Sequence, residues 1–149
     1  MVLEPGPSLV TPAIEIDRSQ NGLVIVRFHT PPTDQQFQQY LADYAQLLMT
    51  EAHSGAVFVM APQLPLPPPR HVRYQARFIQ EHRRVMSERL VGVAFSIVSA
   101  LMRSVLRGIL MLQPLPCPHV TLGSEAEGVS WVKARLWAEH VKRMKSAGT

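Results

Sequence analysis

One cysteine, Cys117, is all that the 149 residues contain, so the chain can form neither an internal disulfide nor a thiolate cage for a metal. Long apolar runs are also missing. A membrane-spanning helix needs roughly 18 apolar residues, and the longest candidate, 99–112, is interrupted by Arg103, Arg107 and Gly108. The opening MVLEPGPSLVTPAIEID has no basic start and no apolar signal core, so export is not expected. Glycine-rich phosphate cradles, a GxSxG elbow and an HExxH helix are absent as well. Charged residues are only 17% of the chain against 46% hydrophobic ones, and that excess calls for a dense core or a surface covered by something else. A soluble, cytoplasmic, single-domain protein with a net charge of +4 is the expectation.

What is present is patterned. Residues 1–13 carry three prolines and no periodicity, and are expected to form a poorly ordered arm before a domain over 14–143 and a tail over 144–149. Ile14 to Asp17 alternates like an edge strand, Asn21-Gly22 marks a tight hairpin, and LVIVRF (23–28) is a more buried strand. Thr33 and Gln36 have capping-box spacing before a helix whose Phe37, Tyr40, Leu41, Tyr44, Leu47 and Leu48 share one face. AVFVM (56–60) is continuously apolar, as a strand covered on both faces would be. The stretch 61–69, APQLPLPPP, holds five prolines in nine positions and reads as a stiff connector or as a ligand for an aromatic groove. One long helix is predicted over 70–90.

The centre of the pattern is 91–122: a strand over 91–98, a strongly apolar helix from Ala100 to about 113 capped by Ser99, a turn with Pro114, Pro116 and Pro118, and a strand over 119–122. Ser124 and Glu127 then cap a terminal helix with Val129, Val132 and Leu136 on its inner side. The order ββαβαβαβα predicts an α/β fold: one mixed, mostly parallel sheet of about five strands with about four helices.

The opening hairpin, LVIVRF, GAVFVM, the unit VGVAFSIVSALMRSVLRGILMLQPLP and SEAEGVSWVKARL together resemble the STAS/SpoIIAA-like superfamily, whose anti-sigma-factor-antagonist fold is related to CRAL-TRIO-like domains. The resemblance covers most of 14–137 and rests on element order, not on a catalytic signature. It implies a non-catalytic interaction module. Phosphorylated members carry an Asp-Ser-type motif just after the third strand; here Met60 to His71 contains no Ser, Thr or acidic residue, so the phosphoacceptor is missing.

Enzymatic chemistry finds little footing. Six histidines stand at 29, 53, 71, 82, 119 and 140. His29 and His119 lie near strand ends, where α/β sites are often built, but neither has an acidic neighbour in sequence. Cys117 follows a helix C-terminus, where the dipole disfavours a thiolate. No catalytic residue, metal ligand or cofactor is expected. The leading reading is a module that binds a protein partner, of unknown identity, or a second copy of itself through Leu101, Met102, Val105, Leu106, Ile109 and Leu110. Met111 and Leu112 extend that apolar surface beyond the single stripe a sheet-covering helix needs. The alternative is an apolar, lipid-like ligand whose acidic head would meet Arg103 or Arg107. The least favoured reading is a nucleic acid or other acidic partner on Arg70, Arg73, Arg77 and Arg84 of the basic helix 70–89, where Glu81 and Glu88 offer intrahelical partners instead.

Overall fold

The computed structural model describes residues 12–148. Its sheet is built by hydrophobic runs of the length and spacing described above. β1 (Ile14–Gln20) and β2 (Leu23–Phe28) form an antiparallel hairpin whose turn places Gly22 at φ +76°, a conformation glycine adopts without a Cβ clash. β3 (Ser54–Met60), β4 (Leu90–Ser96) and β5 (His119–Leu122) then add in parallel, giving the order β1-β2-β3-β4-β5. Every parallel step moves the same way across the sheet. Right-handed crossovers therefore bring all the connecting helices to one face. These are α1 (Asp34–Thr50), α2 (Pro69–Glu81), α3 (Arg83–Arg89) and α4 (Ala100–Leu112), and α5 (Glu125–Ala147) alone covers the other face. No helix among the described residues is long and apolar enough to cross a membrane.

The expected caps are formed. Thr33 and Gln36 make a reciprocal capping box on α1, Ser99 accepts from the amide of Met102, and Ser124 accepts from the amide of Glu127. Two expectations are corrected. The helix predicted over 70–90 is two helices, so the fold has five helices and the order ββαβααβαβα. His82 leaves the helical region (φ −108°, ψ 15°), stacks on Phe78, and places its ring Nδ1 2.9 Å from the Phe78 carbonyl that the next turn would otherwise surround. The tail expected from 144 is helical through Ala147, because Glu125 and Glu127 at the start and Lys145 at the end of α5 complement the helix dipole. The arm expected over 1–13 lies outside the described residues as far as residue 11. Ala13 is docked, its carbonyl accepting from the amide of His29 at 2.8 Å.

The two faces of the sheet differ in bulk. Register puts Leu23, Gly55 and Gly92 side by side, with Ile25, Val57 and Ala94 in the next row, and small residues there let α5 approach closely. A Cβ on Gly92 would come within 2.8 Å of the Trp131 ring, and one on Gly128 within 3.0 Å of Val57. Val132 of α5 sits over Gly55 with no exposed surface. The opposite face carries Val26, Phe58 and Phe95 in one row, with Phe28 beside Met60 in the next, and rings of that size hold the helices away from the backbone. Replacing Gly55 with Val should lower stability by about 1–3 kcal/mol through overpacking against Val132, measured by urea unfolding of the full chain.

An ion cluster fastens the hairpin to α5. Arg27 Nε and Nη2 meet the two Glu125 carboxylate oxygens at 2.8 and 3.0 Å, while Nη1 donates to Glu15 at 3.1 Å and Asp17 at 3.0 Å. Hydrogen bonds from Ser19 and then from Arg27 pull the Asp17 carboxyl from 3.8 down to about 2, and Arg27 lowers Glu125 as well. Folded-state values below the unfolded ones mean this stabilisation is complete above about pH 4 and is lost as the pH falls toward 2. Arg27→Ala should cost about 1–3 kcal/mol at neutral pH and should flatten the acid limb of a stability-versus-pH curve between those values.

Candidate functional site: an apolar cavity under α4

Where the helices are held off the aromatic face, a cavity of about 160 Å³ remains. Its floor is Phe28, Phe58 and Phe95, the last two stacked at 5.6 Å. α1 contributes Phe37, Tyr40 and Tyr44, α2 contributes His71, Gln75 and Ile79, and α4 closes it with Met102, Val105, Leu106, Ile109 and Leu110. Leu64 to Pro68 form part of the rim. Prolines fix φ there, so this wall is stiff without hydrogen-bonded secondary structure.

Polar groups in this apolar wall are few. Tyr40 donates to Gln75 Oε1 at 3.2 Å, and burial raises its phenol above the usual range. Tyr44, one turn further along α1, has a fully buried hydroxyl with no partner among the described residues, and burial raises it too. His71 is 2% exposed and stacks on Phe37 at 4.5 Å with the rings 14° apart. Its Nε2 meets Asp34 Oδ1 at 2.8 Å, and Arg70 donates to that same oxygen. Those bonds, Arg70's first, lower the Asp34 carboxyl. His71 Nδ1 has no partner among the described residues. Asp34 opens α1 after β2 and His71 opens α2 after β3, so the pair stands above the carboxyl ends of two parallel strands, where α/β folds position sites.

The residues singled out on α4 separate. Met102 is buried, Val105, Leu106, Ile109 and Leu110 are half-buried against the cavity, and Leu101 points away from it at 67% exposure. Met111 and Leu112 are exposed as well. Neither arginine expected to hold an acidic head group lines the cavity. Arg103 Nε donates to the Ile97 carbonyl at 2.7 Å, and Arg107 donates to Ser104 on the exposed side. The four arginines of the basic stretch are divided by the break at His82, with Arg84 on α3 paired to Glu88 at 3.2 Å and Arg70 paired to Asp34. Arg73 and Arg77 are exposed, and Glu81 does not pair with Arg77.

Two histidines near strand ends do not converge. His29 follows β2 and meets Glu15 at 2.8 Å, whereas His119 starts β5 at the opposite end of the parallel sheet. Burial pushes the Cys117 thiol up to about 11, which keeps it protonated. Among the described residues no three His, Cys, Asp or Glu side chains gather closely enough to hold a metal. His71 is the site residue that sequence reasoning missed. The available signal was helical spacing: His71, Gln75 and Phe78 lie at i, i+4 and i+7 on the inner side of α2.

No protein-family model matches the chain, and no curated protein matches it. Solved structures do. An uncharacterized protein of the DUF3478 family from Shewanella loihica PV-4, with a SpoIIAA-like fold, aligns with a TM-score of 0.59 at 15% identity over 80% of this chain and 92% of that one. The anti-sigma-factor antagonist SpoIIAA in its unphosphorylated form aligns with a TM-score of 0.54 at 15% identity, over 82% of this chain and 97% of that one. The expected α/β fold of the STAS/SpoIIAA-like kind is thus the observed one.

Tyr44→Phe deletes a buried hydroxyl that has no bond to lose. It should leave stability unchanged or raise it by up to about 2 kcal/mol, in contrast to Tyr40→Phe, which breaks the bond to Gln75 and should cost about 1 kcal/mol. Thermal unfolding of the two variants side by side checks this.

Proposed function

On this SpoIIAA-like fold, we propose a non-catalytic binding module that takes a small apolar ligand in the cavity under α4 and displays the result to a protein partner through the outer side of that helix. The observation that carries the reading is the cavity itself: apolar on nearly every wall, rimmed by the proline-rich connector, and supplied with two buried polar atoms that nothing in the described chain satisfies. Buried polar groups normally have partners, so a ligand's polar end would find one at either residue, Tyr44 or His71, if its ring turned toward the cavity. The volume suits a molecule of about benzene size, since apolar cavities of about 150 Å³ accept one. His71 also stands at the start of the helix after the third strand, the place where phosphorylated members of the resembled superfamily carry their serine. A ligand in contact with His71 would replace phosphate as the regulating chemistry.

α4 connects the two activities. Its inner residues Met102, Leu106 and Ile109 line the cavity, while Leu101, Met111 and Leu112 are 67%, 84% and 72% exposed. A ligand that binds one position of α4 better than another shifts the population of the face the partner meets. The exposed leucines also favour a second reading, a constitutive protein or self-contact that needs no ligand.

Toluene, which has no polar group, is the probe for the cavity. At ten times its Kd it should stabilise the chain by about 1.4 kcal/mol, and Leu106→Trp, which fills the space, should abolish the effect. A wild-type chain whose thermal unfolding is indifferent to toluene removes the ligand reading. Size-exclusion chromatography with light scattering separates the second one: a concentration-dependent dimer that Leu101→Ser and Leu112→Ser dissolve supports self-contact, and a strict monomer at high concentration removes it.

A further inference from the structure

α5 is the one helix on its face of the sheet, and only its first half is used there. Gly128 meets Val57 and Ala94, Val132 sits over Gly55, and Leu136 reaches the hairpin turn at Gly22. Beyond Leu136 no described side chain of α5 is buried, yet the helix runs on to Ala147. The line that faces the sheet continues at steps of three and four as Glu139 and Arg143, which approach each other to 4.0 Å.

The apolar residues of this projecting end lie on another side. Trp137, Val141 and Met144 follow one another at steps of four and three, so they form one stripe. Trp137 stands five residues after Val132, about 140° round the helix from it and away from the sheet. Trp137 is 66% and Met144 60% exposed, with Val141 half-buried between them. Lysines border the stripe: Lys133 one turn before Trp137, Lys142 next to Val141, and Lys145 one turn after Val141. All three are exposed, and none has an acidic partner among the described residues. From 128 to 147 Glu139 is the single acidic residue against five basic ones. The two arginines of that stretch are engaged within the chain, Arg135 over the Trp131 ring and Arg143 with Glu139.

An apolar stripe bordered by unpaired cations calls for an occupant that is apolar at its centre and anionic around it. We infer that the projecting end of α5 docks this domain on an anionic lipid surface. Trp137 and Met144 enter the headgroup layer, and Lys133, Lys142 and Lys145 meet the charged headgroups. The amphipathic indole ring suits that depth. A second copy of the chain would bring the same lysines and be repelled. An acidic protein fits less well, because protein interfaces are rich in arginine, whose fork matches fixed carboxylates, and poor in lysine. The free cations of this stretch are all lysines, flexible point charges that suit a headgroup layer without a fixed pattern. Since α1 to α4 cover the opposite face, docking here leaves the outer side of α4 clear and does not depend on what the cavity holds.

The full chain is tested by co-sedimentation with vesicles of phosphatidylcholine alone or with about 30% phosphatidylserine. Binding should be at least about tenfold tighter to the anionic vesicles at about 0.1 M salt, and should fall to the neutral level at about 1 M, where charges are screened within about 3 Å. Replacing Lys133, Lys142 and Lys145 with Gln should weaken it about fivefold per lysine. Trp137→Ser with Met144→Ser should weaken it about tenfold or more. Trp137 emission, taken as the difference between the wild-type and Trp137→Phe chains, should shift to the blue with anionic vesicles alone. Equal binding to both vesicles, binding to neither, or binding that the substituted chains retain overturns the proposal. So does an unmoved Trp137 emission on vesicles that do bind, which places the contact elsewhere. If poly-L-glutamate shifts the emission and the vesicles do not, the occupant is an acidic protein and the lipid proposal falls. Every substituted side chain is an exposed one, and the comparison of the two vesicles is read on the unaltered chain, so the outcome does not depend on a variant folding.

Discussion

The difference in side-chain bulk between the two faces of β3 and β4 shapes the rest of this molecule. Gly55, Gly92 and Ala94 bring one face close to α5, so that Val132 seats directly against the sheet. Phe58 and Phe95 stand on the other face and hold α1, α2 and α4 at a distance set by aromatic rings. Close packing on one side is well filled. Large, rigid rings meeting helices from several directions on the other side interdigitate less completely, and the shortfall is the cavity.

That cavity gives meaning to features which are unremarkable one at a time. A proline-rich connector needs no functional explanation until it forms the rim of an apolar space. The same holds for α4. Its apolar residues exceed one stripe because Met102, Val105, Leu106, Ile109 and Leu110 serve the cavity while Leu101, Met111 and Leu112 remain outside. His71, held by Asp34, joins the Tyr40–Gln75 bond as an oriented polar feature of the wall, and it comes from the carboxyl end of β3.

Much of the fold was legible because it is written in local chemistry. Thr33 with Gln36, Ser99, and Ser124 with Glu127 start helices by satisfying amides three residues away, and Gly22 turns the hairpin within its own backbone. The mostly parallel sheet followed from the alternation of strands and helices. The break at His82 escaped because the helical pattern runs straight through it. The imidazole reaches its own i−4 carbonyl and stacks on Phe78, neither of which hydrophobic periodicity reports. The α4 residues were found, but their division between cavity and surface was not, since an apolar helix viewed alone has no inside.

What the sequence by itself determined is therefore most of the elements, their order along the chain and the handed way in which they connect, for these depend on interactions within a few residues and on backbone chirality. Only the tertiary structure decided the site. Asp34 and His71 lie 37 residues apart, and nothing in either neighbourhood marks them as a pair. They meet because β2 and β3 run parallel and adjacent, which brings the starts of α1 and α2 together over one sheet end. Whether an aromatic face packs solid or leaves a cavity depends on how several helices settle against it at once, and no single segment of the chain contains that information.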